Sequence, residues 1–371
     1  MADTDWGASG RTDEYTCKLV DPFTLQAVAD VDFDAESSSI TEAYYSDNYS
    51  SASVTLEGVD YVRDGREMLL QISHTAHAAD GTSVTESLGT FFVDSMTKTS
   101  QLQRHSRKLA AYSTLLRVTS DKLINDFARG KGANVVDAIK AVLTADGGKV
   151  RVMDGVDTSR TFGQAVAFDL GTTKSTVASE MAGWIGATIN VGQDGYLEIA
   201  PYLAPDQRNV AYTFEEGATC TYAAGVDWDS NRDEVLNRVV MYYSRESKQD
   251  DDPYPLTDRV CVDLPESSRW SYEKVGRHKT EVVSLSDPCS HAELEAKART
   301  YLQENSAEIL YLTIQHVQIP GLHAGDVVIY RNSVDEDGLN VKALITQMEI
   351  SSLNPGGVCT SKLKIIGWLD E

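Results

Sequence analysis

The sequence predicts a mainly β protein with an α/β insert, in which two β-barrel regions flank a small α/β domain. Two observations carry this prediction. Short alternating runs bounded by polar turns occur on both sides of the chain, and segments with helical spacing separate them. A chain of 371 residues has room for two or three domains at roughly 100–200 residues each. The predicted divisions are a flexible N-terminal arm at 1–10, a first β-barrel at 11–118, an α/β domain at 119–204, and a second β-barrel at 205–371 with an inserted helix near 290–305.

The first β region begins with a mixed strand at 15–20. Residues 25–33 then alternate apolar and polar or small side chains, which is the period of a half-buried strand. Ala79–Thr82 has the composition of a hairpin tip and joins a strand at 67–74 to a return strand at 83–93. A further strand pair lies between 97 and 118. Short strands with polar turns are typical of a small barrel or sandwich.

The middle region changes character. Ser120–Leu123 predicts a helix cap and start, which Ile124, Phe127 and Ala128 would continue. Asn134 is predicted to cap a helix at 135–143. A third helix is predicted from about Ser175 to Trp184, followed by a hairpin whose turn contains Asp194 and Gly195.

The second β region is predicted to contain one substantial helix, which Ser290 opens and which runs through 292–305. The remaining periodic segments predict strands. They lie at 235–243, 260–262, 270–275, 280–285, 309–317, 340–350 and 359–368, and residues 321–330 predict a turn followed by a strand.

The chain is strongly acidic, with 56 Asp and Glu residues against 33 Lys and Arg residues, a net charge of −23. Proteins that bind nucleic acids usually present a basic face to the phosphates, and anionic membranes repel an acidic surface. The densest basic stretch is Arg104–Lys108, which we interpret as a solvated strand or turn. The charge therefore argues against a nucleic-acid binder or a membrane-surface protein.

The five cysteines, at 17, 220, 261, 289 and 359, are widely spaced and odd in number, and no CxxC motif occurs. This pattern argues against a disulfide framework or a zinc site and predicts free, buried thiols in a reducing cytosol. The N-terminus lacks the basic start and apolar core of a signal peptide. No stretch approaches 18 apolar residues, so no membrane segment is predicted.

The sharpest candidate for catalysis is Phe168–Ser175, which resembles the first phosphate loop of the actin, chaperone and sugar-kinase ATPases. In that family Asp169 would act near the metal, and the Gly-Thr-Thr turn would approach phosphate. The family also needs a later Asp-x-Gly-Gly motif, and the sequence has none. We therefore interpret the segment as a loop that ends at a helix N-cap. The motifs GxxxxGK(S/T), GxGxxG, GxSxG and HExxH are absent.

Other candidate sites are less specific. His74 and His77 are predicted to point to opposite faces of a strand, and His316 and His323 to be solvated or packed side chains. Oxygen ligands at Asp250–Asp252 with Glu246 suit Ca²⁺, but their spacing favours a solvated acidic loop. Asp335–Gly338 predicts an acidic hairpin tip, and no carboxylate pair for glycosidic cleavage can be singled out. We predict no catalytic, cofactor-binding or metal-binding residue, and no cofactor.

Three stretches in order along the chain resemble the phage tail hub proteins, the baseplate hubs and tail-tip hubs related to those of contractile injection systems. Leu88–Asp94 is similar to the Gly-Thr-Phe-x-Val strand of the first hub barrel. The helix at 175–186 with the hairpin at 194–197 is similar to the helix and Asp-Gly-x-Leu hairpin of the family. Ile319–Val328 resembles its proline and Gly-Asp-x-Val turn, and 344–350 and 360–366 match its closing strands.

The resemblance implies a hub-type architecture and a structural, non-enzymatic virion protein. It implies a homotrimer in which two tube-like barrels per chain present near-sixfold symmetry to a hexameric tail tube or distal tail ring. The other partners it implies are the tape measure protein and a threefold tip fibre or spike. The ring would surround a channel through which DNA passes during ejection without specific binding. The location implied is the virion tail tip, after synthesis in the host cytoplasm.

Two alternatives stay open. The first is a host-receptor or carbohydrate-binding tail protein, because the chain has 17 Tyr and 5 Trp residues. Tyr44, Tyr45, Tyr49 and Trp270 could stack on sugars, although barrel packing explains such residues equally well. The second alternative is an enzyme, either an ATPase or a cell-wall hydrolase. Longer tail-tip hubs often carry a C-terminal peptidase or receptor-binding region, and here we expect enzymatic or host-binding activity to lie on another chain.

Overall fold

The computed structural model confirms the mainly β prediction, with 49% of residues in strands and 13% in helices. It has two compact units, one of Met1–Val226 with Thr313–Glu371 and one of Asp227–Leu312. The predicted domain boundaries stay a prediction. The residues that the structure describes are 4–58, 60–101, 104–217, 220–223, 225–231, 235–244, 255–285, 289–306, 309–332, 338–356 and 358–369.

The first β region contains nine strands. They are β1 (Thr12–Val20), β2 (Ala27–Val31), β3 (Phe33–Ala43), β4 (Ser50–Glu57), β5 (Val62–Arg63), β6 (Arg66–Glu67), β7 (Leu69–His77), β8 (Ser83–Gln101) and β9 (Arg104–Ser113). Burial alternates with period two along β4 and β7, as the side-chain direction in a strand requires. Leu56, Ile72 and Phe91 lie on the buried face and are fully enclosed. This face forms the core of the first β region.

The segment before β1 is packed, which differs from the predicted flexible arm. Trp6 is only 2% exposed, and its carbonyl accepts a hydrogen bond from Arg11 Nη1 at 3.1 Å. Gly7 lies so close to Cys220 that an added Cβ would be 2.9 Å from its carbonyl oxygen. Residues 4–10 are therefore held by burial of the indole, a tertiary contact that the polar composition of the segment conceals.

The α/β insert contains three helices and five short strands. They are α1 (Leu116–Thr119), β10 (Phe127–Arg129), α2 (Val135–Leu143), β11 (Val150–Val152), β12 (Val166–Phe168), α3 (Lys174–Gly183), β13 (Ala187–Val191) and β14 (Leu197–Pro201). The predicted cap of α2 is confirmed, because the Asn134 side chain accepts from Asp137 N. The predicted hairpin is also confirmed, since β13 and β14 pair antiparallel.

The predicted helix start at Ser120–Leu123 is wrong. Ser120 is instead the C-cap of the short helix α1, and Phe127 and Ala128 belong to strand β10. The N–H of Leu123 donates to Thr172 O at 2.9 Å, so this stretch is extended against a distant part of the insert. Pairing across the insert has overridden a local helical pattern.

The insert is built from two copies of one motif. Strand β10, a glycine turn and α2 recur as β12, a glycine turn and α3, at an offset of 39 residues from Phe127 to Val166. The two strands pair antiparallel about Ala128 and Ala167, which are equivalent positions. This arrangement gives the insert an approximate internal twofold axis.

The contacts between the two copies are reciprocal. Lys122 bridges to the cap of α3 at Thr173, and the equivalent Thr161 bridges to the cap of α2 at Asn134. The N–H of Val135 donates to Arg160 O just as the N–H of the equivalent Lys174 donates to the carbonyl of Asp121. Each copy thus completes the helix entry of the other.

After a 3₁₀ turn at Pro205–Gln207 and strand β15 (Val210–Phe214), the chain enters the second unit. Its elements are β16 (Asp227–Asn231), β17 (Arg238–Ser244), β18 (Thr257–Asp263), α4 (Tyr272–Val275), β19 (Thr280–Ser284) and α5 (His291–Glu304). A three-stranded sheet in the order β18, β17, β19 packs against α5 through residues such as Met241 and Leu294. The helix predicted from Ser290 is confirmed, with a capping box between Ser290 and Glu293.

The strand predicted at 270–275 is wrong. Tyr272–Val275 forms the one-turn helix α4, and Gly276 ends it in the left-handed conformation at a φ of 72°. A glycine at this position is the usual end of a helix, because it has no Cβ to clash there.

The second unit ends at Leu312, within β20 (Ile309–Val317), and the first unit resumes at Thr313. The strands β21 (Val327–Asn332), β22 (Leu339–Ile350) and β23 (Val358–Trp368) follow. Strand β22 pairs antiparallel with β3, placing Ile350 opposite Ile40. The sheet of the first unit therefore runs in the order β20, β23, β22, β3, β4, β9, β8, β7, β1, β2, and β21 and β15 branch from β22. In the described part of the chain no pairing closes this path, and the two barrels stay a prediction.

Substitution Met181→Ala tests the packing of the duplicated insert. The Met181 side chain is fully buried on α3, so we expect a loss of about 2–5 kcal/mol in the free energy of unfolding. Ser179→Ala on the exposed side of the same helix is the matched control and should change that free energy by less than about 0.5 kcal/mol. Urea unfolding followed by circular dichroism measures both, and equal losses would contradict the packing described.

Candidate functional site

The loop that resembles an ATPase phosphate loop lies at the entry to α3. Gly171 has a φ of 88°, and the equivalent Gly132 in the first copy has a φ of 84°. Thr173 caps α3 as Asn134 caps α2, so the predicted loop that ends at a helix N-cap is confirmed, with Thr173 as the cap. Because both copies of the motif have this turn, its glycine is explained by backbone geometry.

Lys174, the cation of this loop, is occupied by structural contacts. Its ammonium group forms ion pairs with Asp121 and Asp146, and the residue is 9% exposed. Burial alone lowers the pKa of Lys174, but the two aspartates outweigh burial and raise it. The carbonyl of Asp169 accepts a hydrogen bond from Thr172 Oγ1 at 2.8 Å and so helps to form the turn. The ion pairs of Lys174 hold the two copies together.

A buried carboxylate lies where the first β region, the β13–β14 hairpin and the loop before β21 meet. Glu42, near the end of β3, is 2% exposed. Its Oε2 accepts the N–H of Ala324 at 2.8 Å, and its Oε1 accepts from Gln193 Nε2 at 3.0 Å. His323 Nδ1 lies 3.0 Å from the same Oε1. We call Glu42, Gln193, His323 and Ala324 the junction cluster.

Hydrogen bonds anchor the hairpin turn beside the junction cluster. The hydroxyls of Ser87 and Thr90 both donate to Gln193 O at 2.9 Å. Thr114 Oγ1 donates to Gly195 O, also at 2.9 Å. Gly195 has a φ of 87°, and an added Cβ there would be 3.1 Å from the Thr90 side chain. The Asp-Gly turn is therefore held against the first β region by these hydrogen bonds and by the close approach of Gly195 to Thr90.

A second buried network adjoins the first. His74 is fully buried between Asp13, at 2.7 Å, and Glu86, at 3.2 Å, and Tyr15 stacks on its ring with centroids 4.9 Å apart. Glu86 also accepts the N–H of Gly321, which ties β8 to the loop that carries His323. His77 is exposed, so the two histidines lie on opposite sides of β7, as predicted.

Neighbouring charges shift the pKa values of the buried histidines in these networks. Burial by itself lowers the pKa of His323, but the charge of Glu42 and its hydrogen bond outweigh burial and raise the pKa to about 9. The pKa of His74 is likewise raised, because Asp13 and Glu86 outweigh the effect of burial. His316 has no such partner charge, and burial lowers its pKa to about 4. His316 is packed, with Nε2 2.8 Å from Ser361 Oγ.

The tyrosines proposed as a sugar platform come together only in part. Tyr44, Tyr45 and Tyr49 line one cleft of the first unit, whereas Trp270 belongs to the second unit. The Tyr49 hydroxyl donates to Ala324 O at 2.8 Å, and Tyr44 lies under the Arg208 guanidinium. Tyr45 is 65% exposed. Two of the three rings therefore serve internal packing.

The acidic loops, possible metal ligands and the basic stretch are the remaining candidate sites from the sequence. Glu246, Asp250–Asp252 and Asp335–Asp337 lie outside the described residues. Within the described ranges, no group of three or more histidine, cysteine or acidic residues is placed to hold a metal ion. The basic stretch 104–108 lies in β9, where Arg107 pairs with Asp60. No described helix is long and apolar enough to cross a membrane.

All five cysteines are free thiols. Cys17, Cys289 and Cys359 are buried, and burial raises the pKa of both Cys17 and Cys359 to about 12. The prediction of burial is wrong for Cys261, which is exposed, and Cys220 is half-buried. Cys261 lies on strand β18 between the buried Val260 and Val262, so the alternation of the strand directs its side chain to the exposed face.

Raising the pH should weaken the junction cluster. The folded pKa of His323 lies above the ordinary value of 6.5, so its contribution to stability is complete below pH 6.5 and is lost as the pH rises through about 9. We expect His323→Gln to flatten the fall in unfolding free energy between pH 6.5 and 9.5. His77→Gln, at an exposed histidine, should leave the slope unchanged. Urea unfolding across this pH range measures it, and an unaltered slope in His323→Gln would contradict the assignment.

Asp169→Ala should be nearly neutral, because the described role of Asp169 is made by its backbone carbonyl. We expect the free energy of unfolding to change by less than about 0.5 kcal/mol. No nucleotide hydrolysis should depend on this carboxylate. A malachite-green phosphate assay on both proteins measures this, and hydrolysis that disappears with Asp169→Ala would restore the ATPase hypothesis.

Comparison with known proteins places the fold. No protein-family model matches the sequence, and no curated protein matches it. Among solved structures, the tail protein from Neisseria meningitidis MC58 is similar over 95% of this chain and 97% of its own, with a TM-score of 0.63 at 15% identity. The 43 kDa tail protein of prophage MuSo2 from Shewanella oneidensis has a TM-score of 0.58 at 13% identity, over 95% and 98% of the two chains.

A third similar structure is the prophage tail protein gp18 from Listeria monocytogenes EGD-e, with a TM-score of 0.53 at 11% identity. That similarity covers 94% of each chain. All three similarities span nearly the whole of both proteins, including the β regions and the insert between them. The chain therefore has the fold of phage and prophage tail proteins, the fold class that the hub resemblance predicted.

Proposed function

We propose that the chain is a structural protein of a phage tail and forms its hub. The observation that carries this proposal is the similarity to a tail protein over 95% of the chain. The fold supports a structural role, because strands from both β regions share one sheet through the pairing of β22 with β3. A hub has to transmit load between neighbours, and a continuous hydrogen-bonded sheet suits that task.

The finer form of the proposal is a homotrimer. Three chains with two β regions each would present six similar units to a hexameric tail tube or distal tail ring. The other face would hold the tape measure protein and a threefold tip fibre or spike. Cyclic assemblies are built from one repeated interface between unlike patches, and a chain with two β regions offers such patches.

The charge supports the proposed channel. A ring of chains that each carry a net charge of −23 would repel the phosphates of DNA, so DNA would pass through without specific binding. The proposed location is the tail tip of the virion, after synthesis in the host cytoplasm. The proposed protein is not an enzyme, because the turn at Gly171 is explained by the duplicated helix entry.

The oligomeric state tests the proposal. We expect the purified chain to have a mass in solution of three times its 40.6 kDa, measured by light scattering coupled to size exclusion. Negative-stain images with tail-tube protein should show a ring at the end of the tube. A protein that stays a monomer at tens of micromolar and forms no ring with the tube protein would overturn the trimeric hub.

A further inference from the structure

A large cleft opens in the first unit beside the α/β insert. Its volume is about 880 Å³, within the range of ligand-binding clefts. The turn after β3, the exposed side of α3, strand β13 and the segment around Tyr202 form its walls. The junction cluster does not occupy it, although Ala324 reaches its edge.

One wall of the cleft is an unpaired strand edge. The insert contains a three-stranded sheet in the order β11, β14, β13, and among the described strands β13 pairs with β14 alone. Thr188–Val191 of β13 line the cleft. The N–H of Gly192 donates to Tyr196 O, and that of Tyr202 donates to Gly186 O. Because hydrogen-bonded and non-hydrogen-bonded pairs alternate along an antiparallel hairpin, these two bonds show which residues of β13 bond to β14. It follows that the N–H and C=O groups of Ile189 and Val191 point away from β14, toward a further strand.

The side chains around this edge favour a positively charged partner. Asp47 and Glu180 are exposed carboxylates on two walls of the cleft. The cation at its edge, Arg208, is held by the carbonyls of Leu203 and Gly325, at 2.9 and 2.6 Å, and by the Tyr44 hydroxyl. Its charge is therefore directed into the protein's own backbone.

Two aromatic rings add to this preference. Tyr45 is 65% exposed and Tyr202 is 56% exposed, and both line the cleft. A lysine or arginine side chain over such a ring gains a cation–π interaction while its charge faces a carboxylate. The cleft therefore offers three kinds of interaction on one surface: main-chain hydrogen bonds at the strand edge, ion pairs with the carboxylates, and cation–π contacts with the rings.

We propose that the cleft binds an extended segment rich in lysine or arginine from another protein, and that this segment adds to β13 as a strand. Main-chain hydrogen bonds to the edge would provide affinity, and alternate side chains would reach the acidic and aromatic groups. That the partner is a neighbouring tail protein rests on the proposed function. The strand-binding surface itself rests on the geometry of the cleft.

A peptide of defined chemistry tests the proposal with the full chain. The probe is a fluorescein-labelled hexapeptide of alternating lysine and threonine, and fluorescence anisotropy at 150 mM salt measures its binding. We expect saturable binding, and at least tenfold weaker binding of the same peptide N-methylated at every residue, which keeps its charge but cannot donate to β13. A glutamate–threonine peptide of the same length should not bind.

Charge reversal locates the binding surface. Asp47→Lys combined with Glu180→Lys should weaken binding of the lysine peptide at least tenfold. Glu266→Lys, an exposed carboxylate of the second unit, is the matched control and should leave binding within twofold of the unmodified chain. Unchanged circular dichroism shows that the variants are folded.

Three results of the peptide assays would overturn the inference. They are no binding of the lysine peptide, equal binding of the N-methylated peptide, or equal weakening by Glu266→Lys. If Asp47→Lys with Glu180→Lys dissociates an oligomer of the chain and the peptide fails to compete, the cleft is a contact between copies and the proposal is wrong. A trimer that binds no peptide overturns this inference alone, whereas a monomer that binds the peptide overturns the trimeric hub alone.

Discussion

The buried carboxylate of Glu42 is the constraint on which the first unit depends. A carboxylate that is 2% exposed is tolerated only when hydrogen bonds and an opposite charge replace its hydration. Its partners are Gln193 and His323, which lie 151 and 281 residues further along the chain. The strand β3, the hairpin of the insert and the loop before β21 must therefore meet in one arrangement. The pairing of β3 with β22 favours the same arrangement, because it places β22, the partner of β21, beside the strand that carries Glu42.

Much of the local structure was predictable from the sequence, because caps, turns and alternating strands depend on neighbouring residues. Asn134 and Ser290 mark helix starts, and Asp194 with Gly195 marks a hairpin turn. The contacts of Glu42 could not be predicted, since nothing local distinguishes it from the other acidic residues of an acidic chain. Trp6 and Ser120 were misjudged for the same reason: a distant part of the chain determines their conformation.

The internal duplication escaped sequence analysis because few identities survive in it. Gly132 and Gly171 are both glycine, but the equivalent caps are Asn134 and Thr173, and the equivalent buried residues are Val142 and Met181. What the two copies share is a positive φ, a side-chain acceptor and an apolar face. These are physical requirements that several residue types can meet. The same requirements account for the glycine turn at Gly171, which resembles a phosphate loop.

The duplicated insert has a consequence for how the molecule folds. Each copy supplies the strand and the helix-entry contacts that the other lacks, so the insert is in effect a dimer within one chain, joined by the segment between α2 and β12. That tether replaces a bimolecular encounter by an intramolecular one at high effective concentration. The same reciprocity allows a copy from one chain to complete a copy from another. The connection between the copies is thus a point at which domain swapping between chains competes with correct folding.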